Sequence, residues 1–336
     1  MAVSEKPSIP LQKSASLRTL KLDGVSFVEI GEEAAGQRLD NFLLRIAKGV
    51  PKSHIYRIIR AGEVRINKKR AKAEAKLEAG DVVRVPPIRV SAKPVTQAPA
   101  APISSEQLPV LFEDRHLLIV NKPAGIAAHG GSGIAHGLIE RVRASRPDEP
   151  MLELCHRLDK ETSGAIIIAK TRKALVRMHD LMKAGGVEKH YYALVKGDWV
   201  NDRQHVKLPL LRYLLPSGER RVKVDPSGMS AHSIFTRLER FGAATLLDVE
   251  LKTGRTHQIR VHAASQGHCL VGDDKYGDFA FNKAVAAGEL GAPFNRMFLH
   301  SRLLAFEHPV TGEPLRIEAP LPASCEKLLE ALRHRR

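Results

Sequence analysis

The sequence predicts an α+β protein of two domains, on three observations. Strand-like apolar runs cluster after residue 108, with helical stretches scattered among them and without the regular spacing of βαβ units. A short helix-helix-strand module precedes them, over residues 24–88. Between the two, residues 89–107 are rich in Pro, Ala and Ser and carry no core pattern, which reads as a semi-extended linker. At 336 residues the chain is long enough for one small domain and one, over 108–336, of ordinary size.

Taken in order, residues 1–23 mix Ser, Lys and Pro with little periodicity and are expected to form a loose tail. Leu39, Phe42, Leu43 and Ile46 recur at helical spacing, and Ser53 is the expected cap of a second helix carrying Ile55, Ile58 and Ile59. Val64 and Ile66 alternate, Asn67-Lys68-Lys69 is a turn, and Val82, Val83 and Val85 form a closing strand. After the linker, strands are expected over 117–120, 165–169, 191–195, 222–224, 233–238 and 245–251. In the last, Leu247, Val249 and Leu251 alternate with Asp248 and Glu250, the pattern of a strand with one polar face. Helices are expected over 137–144, 173–182, 256–265 and 323–333.

The formal net charge of +16 favours a polyanionic partner, and nucleic acid is the commonest. Residues 36–90 hold 14 Lys or Arg against 5 Asp or Glu, so more than half of that excess falls within this stretch. Three distant cysteines, Cys155, Cys269 and Cys325, fit neither a disulfide framework nor a zinc pattern and point to a reducing cytoplasm. No stretch approaches the roughly 20 apolar residues of a membrane span, and the first residues lack a signal-peptide core, so a soluble, unexported protein is expected. His257 and His262 lie five apart, about 140° around a helix, whereas paired ligands sit at i, i+4; metal binding is not expected. Cys155-His156 are adjacent in an extended segment and face opposite ways, which favours a structural role over a thiol nucleophile.

The segment CHRLDKETSGAIIIAK, Cys155 to Lys170, places one carboxylate, Asp159, at a small-residue turn that enters a buried strand. Taken alone, such an aspartate pairs most often with a neighbour, here Arg157 or Lys160. HRLDKETSG, however, resembles the catalytic signature of the RluA-type pseudouridine synthases. KHYYALVKG at 189–197, LKTGRTHQIRVH at 251–262, GDDKYG at 272–277 and FLHSRLLAFEHP at 298–309 agree with it in the same order, over roughly residues 108 to 325. RLDNFL, GEVRIN and GDVVRV in the first module resemble an S4 RNA-binding domain, and GEVRIN, GDVVRVPP and GERRVKVD look closest to the RluC-like branch acting on 23S ribosomal RNA.

The resemblance implies a mixed, largely antiparallel sheet with the cleft along its middle, and isomerisation of uridine to pseudouridine without metal or organic cofactor. It implies that Asp159 is the catalytic aspartate, acting at C1′ by attack on the sugar or by removal of the C2′ proton. Base flipping is required, because C1′ and both base faces are closed in a stacked helix. Arg157, which shares its side of an extended segment with Asp159, matches the arginine that fills the space left by the flipped uridine. Tyr191 matches the tyrosine that stacks on uracil, while Tyr192 alternates into the core. Thr256 is read as a helix cap, which places Arg260 about one turn inside as the basic partner that keeps Asp159 ionised; Arg255 is the alternative partner or a phosphate contact. Leu299 packs against the uracil, and Asp273, Asp274 and Tyr276 shape a nearby loop. In the first module, Lys52, Arg57, Arg60, Lys68, Lys69 and Arg70 form the expected RNA-facing surface.

The expected protein is therefore a monomeric, cytoplasmic enzyme of ribosomal RNA modification. Alternatives within the class are synthases for other ribosomal or transfer RNA uridines. Outside it stands a non-catalytic ribosome-binding protein, whose mark would be loss of Asp159, Tyr191 or Arg260.

Overall fold

The computed structural model describes residues 11–13, 24–47, 50–88, 100–104, 106–130 and 136–335. Most of the stretches read as tail and linker lie outside them. The described chain divides into two compact units.

The first unit holds β1 (Leu11–Lys13), β2 (Ser26–Glu29), α1 (Leu39–Ile46), α2 (Lys52–Arg60), β3 (Arg65–Ile66), β4 (Lys69–Arg70) and β5 (Val82–Val85), together with Pro147–Leu152 and Lys170–Arg172. Its strands run in the order β1-β2-β5-β3-β4, with β1 parallel to β2 and the other pairs antiparallel. β1 thus falls within the stretch read as a tail. The apolar positions of the two helices, Leu39, Phe42, Leu43, Ile46, Ile55, Ile58 and Ile59, meet Val83 and Val85 in one core. Buried Asp40 ties α1 to α2, accepting hydrogen bonds from Arg38 (2.7 Å) and the Tyr56 hydroxyl (2.9 Å).

Two local expectations are corrected here. Pro51, extended at φ −58°, is the N-cap of α2, and Ser53 lies inside the first turn; proline's fixed φ starts the helix without a side-chain cap. The β3–β4 turn is two residues, Asn67 and Lys68, both left-handed at φ 48° and 68°, and Lys69 already belongs to β4. Asn67 tolerates that conformation and braces it through Val82 N–H (2.9 Å) and Asp81 (2.7 Å).

The second unit contains β6 (Val110–Glu113), β7 (Leu117–Lys122), α3 (Leu138–Ser145), β8 (Glu153–Leu154), β9 (Ser163–Ala169), α4 (Arg172–Ala184), β10 (Val187–Lys196), β11 (Arg203–Val206), β12 (Leu210–Leu214), β13 (Arg220–Val224), β14 (Ser233–Arg240), β15 (Ala244–Leu251), α5 (Gln258–Ser265), α6 (Phe279–Ala286), β16 (Leu299–Glu307), β17 (Pro314–Glu318) and α7 (Ala323–Arg333). Ten of these strands form one mixed, largely antiparallel sheet, ordered β11-β14-β15-β10-β16-β9-β7-β6, with β17 beside β16 and β8 beside β9. β12 and β13 form a separate hairpin. Residues 100–107, read from sequence as the end of the linker, carry Ile103, which is buried and exchanges two 2.8 Å hydrogen bonds with Ser145.

The centre of the sheet explains the apolar run of β9, buried at every position. On β15, Asp248 of the polar face is buried and gripped by Arg302 of β16 (2.7 Å) and His190 of β10 (2.6 Å). Among the described residues, the one parallel contact in the sheet, β9 with β16, has two rungs, Ser163 with His300 and Gly164 with Ser301. Gly164 adopts φ +112°, and a Cβ there would lie 2.2 Å from the Ser301 carbonyl oxygen, so only glycine fits.

Candidate active site

Asp159 sits in the turn that leads into β9, and the turn is fixed from three sides. Cys155 N–H donates to Ile167 O (2.9 Å), Thr162 N–H to Asp159 O (3.2 Å) and Gly125 N–H to Lys160 O (2.9 Å). Below it lies fully buried Lys122, whose Nζ donates to the carbonyls of Pro123 (2.8 Å), Ile126 (2.8 Å) and Lys160 (3.2 Å). At the start of β9, Arg296 donates to Ser163 Oγ (2.8 Å), and Ser163 pairs with His300 Nδ1 (2.9 Å). Because His300 Nε2 bonds the Ala319 carbonyl (3.1 Å) and must donate to it, Nδ1 accepts from the serine.

Burial pulls the Lys122 ammonium down to about 7. Between there and the ordinary lysine range the unfolded chain binds more protons at this position, so stability contributed by Lys122 rises with pH through that window and is lost as pH falls to about 7. Above that pH the neutral amine still has two N–H donors for its three carbonyls, and Lys122→Met, which removes both, is expected to cost about 2–4 kcal/mol at alkaline pH. It should also flatten the rise in stability, as measured by urea denaturation between pH 7 and 10.

The candidate residues Arg157, Asp159, Tyr191, Arg255, Arg260 and Leu299 line one cleft of about 690 Å3. The Asp159 side chain is 20% exposed, at the cleft wall. Arg260, on α5 and 3% exposed, brings Nη1 to 3.5 Å from Asp159 Oδ2. Its shorter bonds go elsewhere, to Asp273 through Nε (2.7 Å) and Nη2 (2.6 Å) and to Asp274 through Nη2 (3.1 Å). Fully buried Asp273 holds the guanidinium, which at the same time reaches Asp159. Burial opposes the charge on Arg260, but the hydrogen bonds and field of Asp273 outweigh it. Arg255 is not the partner; its Nε donates to the Ser230 carbonyl (3.0 Å).

Thr256 does not cap α5. His257 is the N-cap, left-handed at φ 54°, and the Gln258 side chain ties the turn by accepting from Arg255 N–H (3.0 Å) and the Thr253 hydroxyl (2.8 Å). That backbone turns the imidazole into the cleft, with Nε2 3.8 Å from Asp159 Oδ2.

Tyr191 is buried on β10 opposite Ser301, and burial pushes its hydroxyl up to about 12, so it stays protonated at neutral pH. Leu299, at the head of β16, is buried beside the cleft, and Arg157 is exposed at its rim. Tyr192 packs into the core on the other face, under the Arg302 guanidinium. Among the cleft residues that escaped the sequence reading are Lys189 and, as a neighbour of Asp159, His257. Lys189 was legible as the same-face neighbour of Tyr191 two positions on, but His257 depends on a left-handed residue that no pattern announces.

Burial pushes the Cys155 thiol up to about 12, so it supplies no thiolate at neutral pH. His156 is pulled down to about 4 by burial and by the Lys189 cation, and its Nε2 accepts from Ile167 N–H (3.0 Å). His262 is buried against Ser233 Oγ (3.0 Å) and the Leu208 carbonyl (2.9 Å). In the first unit, Lys52, Arg57, Arg60, Lys68, Lys69 and Arg70 are all exposed, and Arg70 reaches back to the Ala61 carbonyl (3.0 Å). Among the described residues, no helix is long and apolar enough to cross a membrane.

Residues 116–265 match the family model for RNA pseudouridylate synthase, and residues 37–83 match that for the S4 domain. The chain is 48% identical over 318 residues to ribosomal large subunit pseudouridine synthase C of Escherichia coli strain K12, covering 93% of this chain and 98% of the relative. It is 50% identical over 316 residues to the protein of that name from Pasteurella multocida strain Pm70, covering 93% and 95%. Among solved structures it is similar to human RNA pseudouridylate synthase domain containing 4, with a TM-score of 0.55, 25% identity, and coverage of 67% of this chain and 92% of that one. With half of its residues shared across nearly the full length of such relatives, the chain belongs to the RNA pseudouridylate synthase family and carries an S4 domain at its N-terminal end.

Proposed function

We propose that this enzyme converts specific uridines of large-subunit (23S) ribosomal RNA to pseudouridine, with Asp159 as its catalytic carboxylate. The observation that carries the reading is the geometry at Asp159, a partly exposed carboxylate on a braced turn, 3.5 Å from a buried guanidinium and sharing a cleft with buried Tyr191. The names of the relatives supply the choice of ribosomal RNA.

The reaction breaks the N1–C1′ bond, turns the uracil and rejoins it through C5. It is redox-neutral and uses no external reactant. The uridine must leave its helix to enter the cleft. There Tyr191 stacks on the ring, a contact worth about 1–3 kcal/mol, and Leu299 packs beside it. A carboxylate at C1′ serves the chemistry either by attacking the sugar or by taking the C2′ proton. Arg157, exposed at the rim, takes the place of the flipped base, and Arg255 meets a backbone phosphate.

The basic surface of residues 24–88, with Lys52, Arg57, Arg60, Lys68, Lys69 and Arg70, grips neighbouring RNA through phosphates. The enzyme acts as a cytoplasmic monomer during ribosome biogenesis. Pseudouridine mapping of ribosomal RNA from cells with and without this protein should show sites lost from the large subunit alone; an unchanged large-subunit map refutes the substrate.

A further inference from the structure

The approach of His257 to Asp159 is the end of a longer chain of contacts. Tyr276, in the loop between α5 and α6, places its hydroxyl 2.8 Å from His257 Nδ1. The same hydroxyl oxygen accepts the Val222 N–H of β13 at 2.9 Å. Its ring lies edge-on to the imidazole, centroids 5.5 Å apart, with the Arg260 guanidinium 5.1 Å and the Arg221 guanidinium 5.7 Å from its centre.

These contacts allow an arrangement of the protons that serves Asp159. With Val222 N–H occupying one acceptor site, the tyrosine has its own hydrogen to donate to Nδ1, and a neutral imidazole that accepts at Nδ1 carries its proton on Nε2. Burial, then the cations Arg260 and Lys275, hold His257 below the usual histidine range against the opposite pull of Asp159 and Asp273, which keeps it neutral. Both the Arg260 and the His257 contacts fall on Oδ2 of Asp159. The left-handed backbone at His257 costs about 1 kcal/mol in a residue other than glycine, a strain retained where it positions a group.

We propose that His257 and Tyr276 are positioning residues: the Val222 amide, the Tyr276 hydroxyl and the His257 imidazole form a relay that presents an Nε2–H to Asp159 Oδ2 and leaves Oδ1 to meet the nucleotide. At 3.8 Å the last link is longer than a hydrogen bond, and such links tighten when substrate fills a catalytic site. The inference rests on Asp159 being the catalytic carboxylate.

Three variants test it, in single-turnover assays and binding measurements on a 23S ribosomal RNA transcript. His257→Gly removes the imidazole and suits the left-handed backbone, so backbone strain is not the cause of any loss. Tyr276→Phe removes one hydroxyl and keeps the ring against Arg260. Each should slow turnover about tenfold or more, the scale of lost supporting hydrogen bonds, with RNA affinity within about twofold. The double variant should be no slower than the slower single one by more than about twofold, because both act through one link. Wild-type rates in either single variant, losses that appear in RNA affinity, or losses that multiply in the double variant overturn the relay. If His257→Gly fails to fold, the rate of Tyr276→Phe decides alone. Asp159→Asn in the same assay separates the two claims: retained turnover there refutes the role of Asp159, whereas its loss beside unaffected relay variants refutes only the relay.

Discussion

Replacing Asp159 by Asn should give a protein that folds, binds RNA and turns over at least about 10⁴-fold more slowly, the loss typical of a catalytic group that contacts the reacting bond. The amide matches the carboxylate in size and sits on a turn held by backbone bonds and by Lys122, none of which uses the Asp159 side chain, so folding is not expected to suffer. What changes is the charge 3.5 Å from Arg260 Nη1. An asparagine can neither attack C1′ nor take the C2′ proton, whichever route operates. Release of the C5 hydrogen from labelled RNA measures turnover, and filter binding measures affinity. Turnover within a hundredfold of wild type, at unchanged affinity, moves the catalytic role to another residue of the cleft.

Gly164→Ala should have the largest structural effect. The added Cβ would meet the Ser301 oxygen at 2.2 Å and its nitrogen at 2.5 Å, and both are backbone atoms of a central strand that cannot swing aside. The backbone angle of +112° is itself forbidden to alanine without strain. Together these should cost about 3 kcal/mol or more, a fall of about 6–12 °C in the melting temperature of a unit of this size. A melting temperature within 2 °C of wild type would show that β9 and β16 can part without loss.

Much of the fold was legible because its elements obey one-dimensional rules. The apolar run of β9 and the periodic Leu328, Leu329 and Leu332 of α7 lie where burial needs them. β16 was recognised as a motif but not as a strand, since buried His300 and Ser301 interrupt its apolar pattern; both are polar because they face Ser163 and Tyr191. Asp248 fitted a strand with one polar face, but nothing in the spacing announced that Arg302 and His190 from two other strands would bury it. At the site, sequence brought Asp159, Tyr191 and Arg260 together through the resemblance. It gave no sign that Asp273, thirteen residues from Arg260, holds that arginine, because partners across a loop are chosen by tertiary geometry rather than by spacing.

The two-rung contact between β9 and β16 makes the cleft a joint between two half-sheets. Asp159 hangs from the half that contains β9, β7 and β6, while Tyr191 and Leu299 belong to the half built on β10 and β16. The distance from Asp159 to Tyr191 and Leu299 is thus set by how two blocks are clamped, with Gly164 giving the closeness and the Arg296–Ser163–His300 chain the fastening. Loosening that clamp is expected to slow turnover before it weakens RNA binding.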